Sequence, residues 1–151
     1  MAELKSILLA EDNPRDVELT LTALAENNLA NEVVVARDGE EALDYLFRRG
    51  RFASRAAGNP AVVLLDLKMP RVDGLEVLRR IKADESLKSL PVVMLTSSRE
   101  ERDLVESYRL GINAYVVKPV GFEQFVDAVR QIGIFWALLN ERAPGSVPRP
   151  A

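Results

Sequence analysis

Four apolar runs in this chain end in side chains that could do chemistry together. Glu11 and Asp12 follow Ile7–Ala10, Asp66 follows Ala61–Leu65, Thr96 follows Val92–Leu95, and Lys118 with Pro119 follows Tyr115–Val117. Three clustered carboxylates repel one another unless a cation sits among them. Their oxygens suit Mg2+, which takes one or two carboxylates and keeps several waters. A lysine adds a point charge and a hydroxyl adds a donor. That set is equipped to stabilise a phosphoryl group on an oxygen nucleophile. Asp66 is the best nucleophile, because carboxylates form aspartyl phosphates. Each residue also has a plainer reading. Glu11 and Asp12 can favour a helix N-terminus, Asp66 can begin a turn, Thr96 can cap a helix, and Lys118 can simply be solvated. Nothing structural requires all of them at run ends, so the set argues for function more strongly than any member does.

The elements that must position these residues follow from periodicity. The four runs and a fifth, Val33–Ala36, are rich in Val, Ile and Leu and lack alternation, as expected of strands buried on both faces of a parallel sheet. Between and after them lie stripes at helical spacing: Val17, Leu21 and Leu24; Leu43, Leu46 and Phe47; Leu75, Leu78 and Ile81; Leu104, Val105 and Tyr108; and Phe122, Phe125, Val126 and Val129. Strand then helix, five times over, predicts a doubly wound α/β fold. In such a sheet function gathers outside the carboxyl ends of the strands, so the candidate residues share one rim if strands one, three, four and five are neighbours. Asn13-Pro14 reads as N-cap and first helical residue. Gly50 and Gly111 stand where helices should stop, and Pro91 opens a strand at its tolerated first position.

Composition narrows the chemistry. The chain has 151 residues, 48% hydrophobic and 28% charged, with a net charge of −3. This suits one globular domain. It has no cysteine and no histidine, which excludes disulfides, thiolate zinc sites, cysteine nucleophiles and a Ser-His-Asp triad. A metal would need oxygen ligands. The mild acidity argues against nucleic acid as the main partner. The first apolar stretch is far shorter than the ~20 residues that span a membrane, so no membrane association and a cytoplasmic location are expected.

The set Glu11-Asp12, Asp66, Thr96, Tyr115 and Lys118-Pro119, with the segment LLDLKMPRVDG, resembles the receiver domain of two-component response regulators over residues from about 6 to 130. The resemblance implies a flavodoxin-like five-stranded sheet of order 2-1-3-4-5 and a phosphorylation switch. Asp66 would be the phosphoacceptor, taking its phosphoryl group from the phosphohistidine of a sensor histidine kinase. Mg2+ would be held by Asp12 and Asp66, by Glu11 through water and by the backbone carbonyl of Lys68. Thr96 and Lys118 would bind phosphate oxygens, Tyr115 would turn inward with Thr96 on activation, and the bond before Pro119 would be cis. The sequence departs from the commonest pattern at Glu11, which replaces an Asp. Lys68 and Ser98 occupy positions that tune dephosphorylation in the family. EDNPRDVEL, SYRLGINAYVVKPV and FWALLN resemble, more narrowly, the single-domain regulators that serve bacterial and cyanobacterial phytochromes.

Two segments exceed a minimal domain. Arg48–Pro60 holds four arginines and reads as a solvated loop or, less simply, as a docking surface for an acidic partner. Late in the last helix, Ile134, Phe135, Trp136, Leu138 and Leu139 surround nearly the whole circumference, and contiguous exposed apolar area marks an interface. A homodimer through this end is therefore expected, with packing against the domain's own loop or tail, or a surface for another partner, as alternatives; the resemblance to receiver domains implies that helices four and five, with Tyr108, form it. The receiver domain should span residues 1–142, with 143–151 a disordered tail. An alternative function is an aspartyl-phosphate phosphohydrolase of the haloacid dehalogenase type, but such enzymes want a second Asp where Lys68 stands. A nucleotide-binding domain would need a Gly-rich loop where the chain reads EDNPRDVE.

Overall fold

The computed structural model describes residues 6–26, 32–56, 58–97 and 101–118. Strands β1 (Ser6–Ala10), β2 (Glu32–Ala36), β3 (Val62–Leu65), β4 (Val92–Thr96) and β5 (Ala114–Val117) alternate with helices α1 (Pro14–Glu26), α2 (Gly39–Phe47), α3 (Gly74–Ala83) and α4 (Glu101–Arg109). The sheet is parallel throughout, in the order β2-β1-β3-β4-β5. The fifth predicted helix, Pro119, Ile134 to Leu139 and the predicted tail lie outside the described residues.

Alternation along each strand divides the core in two. Leu8, Ala10, Val63, Leu65, Val92 and Met94 point to the face covered by α2 and α3, where they meet Leu43, Leu46, Val77, Leu78 and Ile81. Ile7, Leu9, Val62, Leu64, Val93 and Leu95 point to the other face and pack with Val17 and Leu24 of α1. Both faces of β1 and β3 are fully covered, which explains their unbroken apolar runs.

Helix starts are set by short polar side chains. Asn13 Oδ1 accepts from the backbone N–H groups of Arg15 (2.9 Å) and Asp16 (3.2 Å). Asp38 caps α2 by accepting from Glu41 N–H, and Asp73 caps α3 by accepting from Glu76 N–H. Gly111 ends α4 at φ +100°, with its N–H bonded to Tyr108 C=O and that of Ile112 to Ser107 C=O.

The end of α2 differs from expectation. The helix stops at Phe47, and Arg48, not Gly50, takes the left-handed position at φ 54°. Gly50, also at positive φ, opens a 3₁₀ turn over Gly50–Phe52. A left-handed non-glycine residue costs about 1–2 kcal/mol, and the contacts around it offset this. Arg49 N–H donates to Asp44 C=O, and Arg49 Nε lies 2.8 Å from Asp44 Oδ1.

The arginine-rich connection is not a loose loop. Arg55 donates to the carbonyls of Tyr45 (2.6 Å), Leu46, Ala56 and Gly58, and lies over the Tyr45 ring at 4.2 Å. It thereby satisfies α2 carbonyls that the helix leaves open. Arg51 pairs with Glu41 at 2.5 Å and covers Phe52, whose ring meets Tyr45 edge-on at 5.1 Å. Three of the four arginines thus hold the segment to its own domain.

Helix α4 turns its apolar stripe of Leu104, Val105 and Tyr108 outward, with Val105 57% and Tyr108 50% exposed, while Ser107 is fully buried. The buried hydroxyl is satisfied within the helix, donating to Asp103 C=O at 2.7 Å.

Two helix-opening glycines fix the segment after β3. A Cβ on Gly74 would stand 2.2 Å from the carbonyl oxygen of Asp66, and one on Gly39 would stand 1.9 Å from that of Val72. Alanine ordinarily favours a helix over glycine by about 1 kcal/mol, but here backbone must move to admit it. Gly74→Ala is therefore expected to destabilise the domain by about 1–3 kcal/mol, read as a lower urea midpoint. A midpoint equal to or above wild type would contradict the close approach.

Candidate functional site

The strand ends meet at one rim because the register aligns them. Ala10 pairs with Leu65, Leu65 with Met94, and Thr96 with Val117. The residues just beyond β1, β3 and β5 are therefore neighbours, and the backbone continues to bind there. Glu11 N–H donates to Ala36 C=O and Asp66 N–H to Ala10 C=O, both at 2.9 Å.

At this rim Glu11, Asp12 and Asp66 each offer a carboxylate oxygen, all within 4.8 Å of one another. Glu11 and Asp66 are buried, at 2% and 8% exposed, whereas Asp12 is open to solvent. Lys118 reaches in from the end of β5. Its ammonium donates to Glu11 Oε1, to Asp16 Oδ2 at 2.9 Å and to Asp66 Oδ2 at 3.4 Å. The second Glu11 oxygen accepts from Asn13 N–H.

The electrostatics follow from burial and crowding. Burial pushes the Glu11 carboxyl up to about 7, opposed by the hydrogen bond from Lys118 and assisted by the neighbouring Asp66. For Lys118, burial favours the neutral amine, but the hydrogen bonds to Glu11 and Asp16 and the charges of Asp66 and Glu11 prevail. Its pKa stands above the ordinary lysine value. Among the described residues the rim holds four carboxylates and one ammonium, an excess of negative charge that a divalent cation with oxygen ligands would relieve.

The structure thus brings together Glu11, Asp12, Asp66 and Lys118 from the residues expected by sequence. Thr96 ends β4 beside Val117, but its side chain lies outside the described atoms, as do Ser98 and Pro119. Lys68 is exposed two residues beyond Asp66. Tyr115, half-buried on β5, packs against the core on the α2–α3 face. Asp16 was not foreseen. It stands in the first turn of α1, just past the Asn13 cap, where an acid is expected for helix stability alone.

A cation held here should bind in a pH-dependent way. Without metal, Glu11 retains its proton up to about pH 7. Metal binding needs the carboxylate and releases that proton, so affinity rises with pH until Glu11 is ionised. Magnesium titrations followed by calorimetry should give several-fold weaker binding at about pH 6 than at about pH 8, with most of the difference lost in Glu11→Gln. Equal affinity for the wild type at both pH values would contradict this.

Comparison with known proteins agrees with this geometry. Residues 7–130 match the family model of the response regulator receiver domain. The bacteriophytochrome response regulator AtBRR is similar in structure, with 67% identity, a TM-score of 0.83, and coverage of 93% of this chain and 100% of that one. The bacteriophytochrome response regulator RtBRR is 63% identical, also with a TM-score of 0.83, covering 95% of this chain and 87% of that one. Response regulator Rcp1 of Synechocystis is 37% identical over 132 residues, 87% of this chain and 88% of its own. Its Mn(2+)-bound form superposes with a TM-score of 0.73 at 35% identity, over 97% of this chain and 99% of that one.

Proposed function

This chain belongs to the response regulator receiver domain family, and from that premise we propose that it is a phosphoacceptor switch of the phytochrome-associated type, phosphorylated on Asp66. Receiver domains work with a histidine kinase and are in general switches rather than enzymes. The observation that carries the reading is the placement of a buried Asp66 carboxylate among Glu11, Asp12 and the Lys118 ammonium at the carboxyl end of a parallel sheet. With no histidine of its own, the chain must take its phosphoryl group from another protein's phosphohistidine or from a small phosphodonor.

A carboxylate oxygen of Asp66 attacks phosphorus. The P–O bond forms as the P–N bond breaks, and its electron pair returns to the imidazole nitrogen of the kinase. Glu11 through water, Asp12, Asp66 and the backbone carbonyl of Lys68 would hold Mg2+, which when bound neutralises charge gathering on the phosphoryl oxygens. Lys118 supplies the protein's own fixed positive charge, and Thr96 a hydroxyl donor to the phosphoryl group. Inward rotation of Tyr115 toward Thr96 would report the modification to the α4–β5 surface.

That surface supports a homodimer. Leu104, Val105 and Tyr108 form an outward apolar stripe on α4, and the expected interface residues Ile134, Phe135, Trp136, Leu138 and Leu139 would extend it along the fifth helix. Stripes of this kind favour symmetric pairing. Among the described residues no helix is long and apolar enough to cross a membrane. A cytoplasmic protein acting through protein contacts, without nucleic acid, fits the mild acidity.

The kinase assignment rests on AtBRR and RtBRR, and phosphotransfer tests it. A histidine kinase with a bilin-binding sensor, labelled on its histidine, should pass label to the wild type and not to Asp66→Asn. Transfer to both, or to neither while a kinase of another sensor class labels the wild type, would overturn the acceptor or the partner respectively. Lys118→Ala should accept the group slowly and then bind its signalling partner poorly in a pull-down, because the charge that couples the phosphoryl group to Tyr115 is gone. Normal behaviour there would contradict the role of Lys118 as the coupling charge.

A further inference from the structure

The ammonium of Lys118 is shared unequally. Its contact with Asp66, 3.4 Å, is the long one, while Asp16 on α1 accepts at 2.9 Å. Charge-assisted N–H···O bonds cluster at about 2.7–2.9 Å, so of these two carboxylates it is Asp16 that makes the full-strength bond. Asp16 is not among the three clustered metal-type donors. Its backbone is fixed independently, because its N–H donates to the Asn13 cap. Its side chain, 31% exposed, can return to water when Lys118 departs, whereas the Glu11 side chain at 3% cannot.

Resting on the reading of Asp66 as phosphoacceptor, we propose that Asp16 is a positioning residue that holds Lys118 on the α1 side of the rim and competes with the incoming phosphoryl group for it. The competition is decided by charge. The unmodified Asp66 carries one negative charge, and Asp16 retains the lysine at shorter range. A phosphoryl group on Asp66 carries close to two, and the ammonium then moves to it, leaving Asp16 to solvent. Asp16 sets the threshold of this exchange without touching the reacting atoms. Asn at this position keeps the shape and an acceptor oxygen but removes the competing charge.

The experiment is phosphorylation by acetyl phosphate with Mg2+, followed by intact mass, on four proteins: wild type, Asp16→Asn, Lys118→Ala and the double variant. Asp16→Asn should accept the group about three- to tenfold faster than wild type, the size expected when a partly exposed ion pair is released. In the Lys118→Ala background the same substitution should change nothing, because the two residues act as one unit. Asp16→Glu, which restores the charge, should return most of the wild-type rate. An Asp16→Asn rate equal to wild type would overturn the proposal. So would an equal acceleration with and without Lys118, which would mean that Asp16 acts through bulk charge or local structure. Absence of phosphorylation on wild-type Asp66 is a different result: it defeats the acceptor reading first, and this inference with it.

Discussion

The Lys118 ammonium is the interaction on which the site depends. One cation, delivered by the end of β5, ties together carboxylates from the end of β1, the first turn of α1 and the end of β3. Removed from water, such a cluster is costly unless opposite charge is present. Lys118 offsets part of the cost of burying Glu11 and Asp66, and the remainder shows in the raised pKa of Glu11. The ammonium is also outnumbered, and the remaining negative charge leaves the rim receptive to a divalent cation. A resting state that is tolerable but imperfectly neutralised is a suitable starting point for a switch that adds more negative charge.

Everything beneath the rim serves this alignment. Parallel pairing in the order β2-β1-β3-β4-β5 places β1 and β3 side by side, so that residues distant in sequence become neighbours one step beyond their strands. The close approach of Gly74 to the Asp66 carbonyl folds the following segment tightly back and keeps Asp66 at the rim. Packing of Leu and Val side chains on both faces of β1 and β3 leaves little freedom to relax. The fold works as a rigid frame for a few polar groups at its edge.

Much of this was legible in the sequence. Unbroken Val, Ile and Leu runs marked the strands, most plainly β1 and β3, which are covered on both faces, and Asn13-Pro14 marked the start of α1 because capping chemistry is local. Glu11, Asp12, Asp66 and Lys118 stood out by lying at run ends, a position that topology alone makes meaningful. Three features were not legible. The outward stripe of α4 has ordinary helical spacing, and spacing does not say which face turns to the core when a buried Ser107 can satisfy itself within the helix. The role of the arginines in Arg48–Pro60 depends on contacts to carbonyls and rings of α2, which composition cannot show. Asp16 hid behind the common preference for an acid in the first turn of a helix.

The central claim is that this rim accepts a phosphoryl group on one carboxylate, Asp66. Incubation with Mg2+ and acetyl phosphate, read by intact mass for the wild type and for Asp66→Asn, tests it most directly. A single phosphoryl group is expected on the wild type and none on the variant. Equal modification of the two proteins would contradict it.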